Sequence, residues 1–468
     1  LQMVSGTFYV DRFMDAPKKL VLPEHLGPGE DAEVEINALF GDRILNITQD
    51  TKVATELTLD YSLDGSVRRI KHVETLKVHD RNAMTWDDNR KAASFVTDKD
   101  PAVMSFSKNV AGIVRKARSR GVDENLQKAM GIFEALNIYG MSYVIDPASA
   151  YTELSGNPHA VDYLQFPRQT LEFRSGDCDD LSICFNAMLQ SVGVDTAFVT
   201  VPGHIFVAFA LKMDPEDARD SIERSDDLIF RSDRAWVPVE VTEIEGGFIE
   251  AWQKGARQWR GNNSRQKAGF YPVQEAWETY SPAGLPERGK DLHMPDSEII
   301  ETAFMTRLSR LIDREIYGEV SRLQERISRN PEDPKYINSL GVLYARYGLD
   351  DRALEEFRNA LNKEEYVPSL VNAGNIYYLK NDMQSALDYY DRALSIDSDN
   401  RIALLGVTRA HHEMENYGIA ASLYEDLKKV APPLAERFGY LAFRGEESGR
   451  AASIANVQEV VVWDSEEE

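Results

Sequence analysis

The first hundred residues alternate apolar and polar side chains with a period of two, as half-buried β-strands do. The alternation is clearest in the segments Gly6–Val10, Ala32–Phe40, Ala54–Tyr61 and Arg68–Val78. Gly-Pro-Gly and Asp-Gly sequences, which are typical of turns, interrupt this region. We therefore predict an N-terminal β-sandwich of the immunoglobulin or fibronectin type III kind over residues 1–100.

After Asp100 the apolar spacing changes to the period of an α-helix. Residues 103–120 and 124–143 place apolar side chains three and four positions apart, which predicts two amphipathic helices. A third helical pattern begins at Cys178, and residues 201–211 and 236–242 have the composition of buried strands. These patterns predict a mixed α+β core over residues 101–280, closed by a proline-containing linker over residues 281–296.

Small residues recur at a regular interval in the last third of the chain. Gly341, Gly374 and Gly406 are 33 and 32 residues apart, while Ala353, Ala386 and Ala420 are 33 and 34 apart, and each alanine precedes by four an aromatic residue, namely Phe357, Tyr390 and Tyr424. This pattern resembles the tetratricopeptide repeat (TPR). The resemblance implies a helical array over residues 297–444 whose concave face binds a peptide or a protein partner; packing on the preceding domain is the open alternative.

The segment after the array, residues 445–468, is an acidic tail. It contains one apolar run, Val460–Trp463. We expect this tail to be partly disordered or to add a strand elsewhere. The fold class as a whole is multidomain α+β: a sandwich, a mixed core and an α-helical repeat array.

Three residues have the chemistry of a nucleophile, a base and an orienting acid. Cys178 follows Gly176-Asp177 at a predicted helix start, where the positive end of the helix dipole lowers a thiol pKa. His204 lies at the mouth of one strand, and Glu240 lies on the next. The order predicts that His204 takes the thiol proton while Glu240 fixes the imidazole tautomer. A buried small thiol, a core histidine and a structural carboxylate are the alternatives.

Other side chains have predicted supporting roles around this cysteine. An oxyanion needs preformed donors, and we expect the backbone N–H of Cys178 together with one of Tyr163, Gln165 and Gln169, among which the sequence does not choose. Trp236 and Trp252 are predicted to wall the cleft. The cluster Asp177, Asp179 and Asp180 lacks the alternating order of a calcium loop, so we expect no metal and no cofactor, and we expect Asp180 to bind backbone amides.

The combined motifs resemble the transglutaminase-like superfamily in its bacterial cysteine-peptidase branch. The motifs are Gly-Asp-Cys-Asp-Asp at residues 176–180, the histidine and acid on successive strands, Ala160–Leu171 upstream and Gly247–Gly255 downstream. The resemblance implies a papain-like or transglutaminase-like core over residues 101–280. It also implies a thiol-dependent amide-bond hydrolase or acyltransferase of the cysteine peptidase type, which acts on a protein or peptide through a thioester. That family usually has aspartate where this chain has Glu240.

Charge and composition narrow the other functional classes. The formal charge of -24 argues against nucleic acid binding, because phosphate contacts depend on clustered Lys and Arg. No apolar run is long enough to span a membrane. The two cysteines are six residues apart on one predicted helix, which disfavours a mutual disulfide. The family resemblance places the chain in the bacterial cell envelope or periplasm, and a catalytically idle TPR interaction scaffold remains the alternative function.

Overall fold

The computed structural model describes residues 2–145, 160–286, 292–445, 447–449 and 460–465. The chain forms two compact units, of which the first comprises residues 1–117 and 124–307 and the second comprises residues 118–123 and 308–468. The boundaries predicted at residues 100, 280, 296 and 444 stay predictions. No helix in the described part of the chain combines the length and the apolarity needed to cross a bilayer.

The N-terminal region of the first unit is built on one antiparallel sheet. Its strands are β1 (Gln2–Val10), β2 (Lys18–Lys19), β3 (Thr51–Leu63) and β4 (Ser66–Val78), in the order β2-β1-β3-β4. Strands β3 and β4 form a hairpin whose turn residues, Asp64 and Gly65, both have positive φ, as a two-residue turn between twisted strands requires.

The predicted β-sandwich is wrong, because the described residues 2–100 contain this one sheet and no second sheet facing it. The predicted strand over residues 32–40 has no regular secondary structure. In β4 the apolar residues Val67, Ile70, Val73 and Leu76 are spaced by three, so they alternate between the two faces and all remain exposed. Neither face of β4 is therefore apolar enough to pack on another sheet.

The core of the first unit packs helices on a five-stranded antiparallel sheet. Its strands, in the order β11-β12-β10-β9-β13, are β9 (Thr196–Val201), β10 (His204–Ala210), β11 (Ile229–Arg231), β12 (Arg234–Val239) and β13 (Gly269–Pro272). Short pairs are formed by β5 (Ala83–Thr85) with β7 (Val161–Tyr163), and by β6 (Ser142–Tyr143) with β8 (Ser175–Gly176). The helices are α1 (Pro101–Ala117), α2 (Glu124–Tyr139), α3 (Pro167–Phe173), α4 (Cys178–Ser191), α5 (Pro215–Ser221), α6 (Phe248–Asn263) and α7 (Val273–Trp277).

Helix α4 is the central element of this core, since its residues from Cys178 to Gln190 are all buried. The mixed helix and strand content agrees with the α+β prediction. That this core is transglutaminase-like or papain-like stays a prediction.

The remaining helices form a repeat array. They are α8 (Ser297–Arg329), α9 (Pro334–Arg346), α10 (Asp350–Leu361), α11 (Val367–Leu379), α12 (Met383–Ile396), α13 (Arg401–Glu413), α14 (Tyr417–Val430) and α15 (Pro432–Arg437). The pairs α9/α10, α11/α12 and α13/α14 follow the predicted period. The predicted C-terminal helical array is therefore confirmed.

The recurring glycines let paired helices approach closely. A Cβ on Gly341 would lie 2.5 Å from the Phe357 ring, and a Cβ on Gly374 would lie 2.6 Å from the Tyr390 ring. Both distances are shorter than packed carbon atoms tolerate. The aromatic residue of the second helix in each pair thus occupies the space that its glycine leaves on the first.

Candidate functional site

Cys178 is the first residue of helix α4, and the carboxylate before it caps that helix. The Asp177 side chain accepts a hydrogen bond from the Asp180 N–H at 3.4 Å. The thiol itself is 5% exposed and lies against the backbone N–H of Ile205, the residue after His204. Burial, and after it the charges of Asp179 and Asp177, raise the pKa of the Cys178 thiol. The helix start therefore does not by itself make this sulfur a thiolate.

His204 and Glu240 form a close pair at the ends of neighbouring strands. His204 begins β10, and its Nε2 lies 2.6 Å from Oε2 of Glu240, which directly follows β12. Glu240 is fully buried, and its other oxygen accepts hydrogen bonds from the N–H and hydroxyl of Thr242 at 3.2 and 2.6 Å. Burial alone raises the pKa of Glu240, but the hydrogen bond and charge of His204 outweigh it and hold the pKa below its usual range.

The three predicted residues are brought together by the packing of α4 on β10. Ser182 in α4 donates a hydrogen bond to the Cys178 carbonyl at 2.6 Å and also contacts the Ile205 carbonyl at 3.5 Å. Because Glu240 occupies Nε2, Nδ1 is the ring nitrogen of His204 left for a proton from sulfur. The arrangement has the order of a nucleophile, a base and an orienting acid, and the catalytic roles stay a prediction.

The three candidate oxyanion donors occupy different environments. Gln169 is engaged, since its Oε1 accepts from Asn82 Nδ2 at 2.7 Å and from the Phe166 N–H at 2.8 Å. Tyr163 is 44% exposed on β7. The backbone of Gln165 donates to Asp180, and its buried Oε1 has no hydrogen-bond partner among the described residues. Gln165 is therefore the candidate tied directly to the start of α4.

The two tryptophans predicted to wall the cleft are core residues instead. Trp236 is 3% exposed and donates to the Arg231 carbonyl at 3.0 Å, while Trp252 is 1% exposed and donates to the Asp227 carbonyl at 2.9 Å. Both indole N–H groups thus have backbone partners inside the fold, which is the usual environment of a buried tryptophan. The cleft-wall prediction is corrected accordingly.

Tyr143 lies beside the site, and the sequence analysis assigned it no role there. It is 42% exposed on β6, which pairs with the strand Ser175–Gly176 just before the cysteine. Burial, followed by the negative charges of Cys178, Asp177 and Glu240, raises the pKa of its phenol. The only signal in the sequence was its place at the start of Tyr143–Pro147, whose last two residues lie outside the described residues.

The acidic cluster at the helix start acts on backbone groups. Asp180 accepts from the Gln165 N–H at 2.7 Å, as predicted, and Asp179 accepts from the Asp180 N–H at 2.8 Å. Oxygens of Asp177, Asp179 and Asp180 all lie within 4.8 Å of one another and are the group in the described chain that could hold an oxygen-seeking cation. Burial, followed by the charge of Asp177, raises the pKa of Asp180 to about 8.

A second candidate site lies on the repeat array. Its residues are on the first helix of each pair: Asn338 on α9, Asn372 and Asn375 on α11, and Arg409 on α13. Asn338 and Asn372 are 34 residues apart, as are Asn375 and Arg409, so they occupy equivalent repeat positions. All four are at least 96% buried. We call these four residues the polar row.

The polar row holds the extended C-terminal segment of the chain. Asn338 and Asn372 donate to the Asp464 carbonyl at 3.1 and 2.8 Å, and the Asp464 N–H donates back to Asn372 at 2.8 Å. The other two members of the row, Asn375 and Arg409, donate to the carbonyls of Val462 and Val460 at 2.8 and 2.5 Å. The segment forms no strand, which corrects the prediction that Val460–Trp463 adds one.

Comparisons with known proteins agree with the repeat array and with nothing else in the chain. No protein-family model matches. BBSome complex member BBS4 of Bos taurus is 28% identical over 86 residues, which are 18% of this chain and 15% of that protein. Tetratricopeptide repeat protein 8 of Mus musculus is 27% identical over 90 residues, 19% of this chain and 18% of that protein. The chain thus spans less than a fifth of the length of these two relatives.

Two solved structures of MamA also resemble part of the chain. Their sequence identities are 18% and 16%, their TM-scores are 0.24 and 0.23, and each covers 33% of this chain and about nine-tenths of MamA. Likenesses at this level carry no functional argument. Together with the 33-residue period and the helix pairs, the sequence relatives define the C-terminal region as a TPR-type repeat region. They give no support to the predicted transglutaminase-like domain.

Proposed function

We propose that this chain is a protein-interaction scaffold whose repeat array binds an extended segment of a partner protein. The observation that carries the proposal is the polar row, in which side chains at equivalent repeat positions hold main-chain groups of an extended segment. Main-chain recognition of this kind does not depend on one particular sequence, so another extended chain could be bound in the same way.

The polar row is also fixed in place before a ligand binds. Asn338 Oδ1 accepts hydrogen bonds from Ser369 and Asn372, both at 3.0 Å, and Asn375 Oδ1 accepts from the Tyr390 hydroxyl at 2.8 Å. These bonds set the orientation of the carboxamides, so little side-chain entropy remains to be lost on binding. The proposal therefore includes a preorganised binding face.

The test is a selection of displayed random peptides on the full chain. Enriched peptides are then measured by fluorescence anisotropy. The double variant Asn372→Ala/Asn375→Ala should weaken binding at least tenfold, because buried hydrogen-bond partners are lost. Asn359→Ala makes the same chemical change on the exposed surface of α10 and should leave binding unchanged. Peptide binding that ignores the double variant would move the partner to a different surface.

A second candidate function is thiol-dependent amide-bond chemistry at Cys178. The specific observation in its favour is the 2.6 Å contact between His204 and Glu240 beside the sulfur. In that reaction the Cys178 sulfur bonds to the amide carbon while its proton passes to His204 Nδ1. The imidazolium then protonates the leaving amine, and water or a second amine cleaves the thioester. The raised thiol pKa is the reason that we place this function second.

A thiol-labelling comparison tests this second candidate. If the site is active, iodoacetamide should modify Cys178 faster than Cys184, whose pKa burial also raises, and Cys178→Ala should abolish any peptide cleavage or cross-linking. Equal labelling of both cysteines would leave the core catalytically idle. The core as a transglutaminase-like domain and a location in the bacterial cell envelope belong to this proposal.

A further inference from the structure

The segment Val460–Asp464 occupies the binding face of the array along most of its length. Val460 and Val462 pack on the apolar cluster of α13 and α14, and Val461 and Val462 pack on that of α11 to α13. Trp463 packs on the cluster formed by α9, α10 and α11. The segment therefore runs from the last helix pair toward the first, with one apolar side chain or more for each pair.

The contacts of this segment are those of a bound ligand. Its hydrogen bonds join its main chain to side chains of the polar row, and residues 460–465 all remain partly exposed. A segment built into the fold would normally pair its main chain with other main chain and bury its side chains. Any extended chain with suitable apolar residues can satisfy the same donors.

The binding face continues beyond the described end of this segment. A cavity of about 420 Å³ borders Ser465, and Arg326, Lys335 and Arg346 line it together with Glu319. The charge around the cavity is therefore mainly positive, which favours acidic side chains at the positions after the tryptophan and aspartate. The chain's own sequence continues from Ser465 with three glutamates.

We propose that Val460–Asp464 is an internal competitor that the partner must displace, and that the partner carries the same chemistry. This inference rests on the proposed scaffold function. The partner segment is extended, with adjacent aliphatic residues, then an aromatic residue, then acidic residues. Because the competitor belongs to the same chain, its effective concentration is high, and it sets a threshold that weak or mismatched ligands do not pass.

The experiment measures binding of a labelled peptide with the sequence of residues 460–468. It compares three proteins: the full chain, the full chain with Trp463→Ala, and a chain that ends at residue 459. The two opened proteins should bind the peptide at least tenfold more tightly than the full chain. A control peptide with alanine in place of the tryptophan should bind each opened protein at least tenfold more weakly.

Hydrogen exchange in the unmodified chain tests the same point without any variant. Saturating peptide should increase exchange at residues 460–465, because the bound peptide expels the segment. Unchanged exchange at saturation would overturn the proposal. So would folded opened proteins that bind no peptide, or opened proteins that unfold and are not restored by added peptide, since the segment would then be a structural part of the array. A concentration-dependent dimer that needs the segment would identify a second copy as the occupant and would also overturn it.

These outcomes separate the inference from the scaffold function on which it rests. Selected peptides that depend on Asn372 and Asn375 but bind the full and opened chains equally would leave the scaffold standing and refute the competitor. Failure of every form to bind any selected peptide would refute both.

Discussion

Replacing Glu240 by glutamine tests whether the buried carboxylate stabilises the first unit through its charge. Glutamine keeps the shape and an acceptor oxygen for Thr242, but it removes the negative charge that faces His204 at 2.6 Å. A hydrogen bond to a charged group contributes about 1.5–3 kcal/mol. Because the His204 side chain is 22% exposed, part of this is screened by solvent. We expect Glu240→Gln to lower the free energy of unfolding by about 2 kcal/mol at pH 7.

The loss should depend on pH in a direction fixed by the lowered pKa of Glu240. A carboxyl group with a lowered pKa in the folded state stabilises that state above the pKa of the unfolded chain, near the ordinary value of 4.5. This stabilisation disappears as the pH falls through the folded-state pKa. The difference between the wild-type chain and Glu240→Gln should therefore be full at pH 7 and shrink steadily below pH 4.5.

Urea unfolding followed by tryptophan fluorescence measures this difference in the first unit. Of the tryptophans, Trp463 alone lies outside that unit, so Trp463→Phe in both proteins makes the signal specific. Glu245→Gln is the matched control, because Glu245 is exposed in the same turn. A loss under about 0.5 kcal/mol at pH 7 would be within the range of ordinary surface changes and would refute the reasoning. A loss that is the same at acid pH would refute it as well.

Three further predictions concern packing and buried charge. Gly374→Ala should cost about 1–3 kcal/mol of unfolding free energy, because the added methyl overlaps a tyrosine ring 2.6 Å away, whereas Gly418→Ala, with open space around it, should be neutral or stabilising in the same denaturation assay. Asp180 has a raised pKa of about 8, so its contribution to stability is lost as the pH rises toward 8; Asp180→Asn should flatten the melting temperature between pH 6 and 9, and an unchanged slope would contradict this. Arg168→Leu leaves the carboxylate of Asp100 buried without its 2.5 Å ion-pair partner, and thermal or urea unfolding should show a loss of about 3–5 kcal/mol.

The electrostatics at Cys178 favour a resting protonated thiol. A catalytic thiolate needs nearby positive charge or good solvation. Cys178 instead has Asp177 and Asp179 beside it and almost no exposed surface, and the one imidazole near it is committed to Glu240 through Nε2. This is the physical reason why the array carries our first proposal and the thiol our second.

The sequence predicted those parts of the fold that depend on neighbouring residues. The repeat array follows from a glycine and an aromatic residue that recur every 33 residues or so, because each helix pair packs mainly on itself and on the next pair. The helix that starts at Cys178 and the strand that starts at His204 were predicted for the same reason, since their apolar patterns are local. The 34-residue spacing within the polar row was equally visible in the sequence and could have revealed the second site.

Tertiary structure decided everything that depends on distant partners. Residues 32–40 alternate as a strand does, yet no neighbouring strand accepts their hydrogen bonds, and the sandwich was wrong for that reason. The indoles of Trp236 and Trp252 looked available for a cleft until their burial was known. Residue order alone could name Cys178, His204 and Glu240 but could not set the thiol pKa, because the pKa depends on burial and on charges that only packing brings near. The docking of Val460–Asp464 on the array was likewise beyond the sequence, since apolar periodicity does not state which surface an extended segment covers.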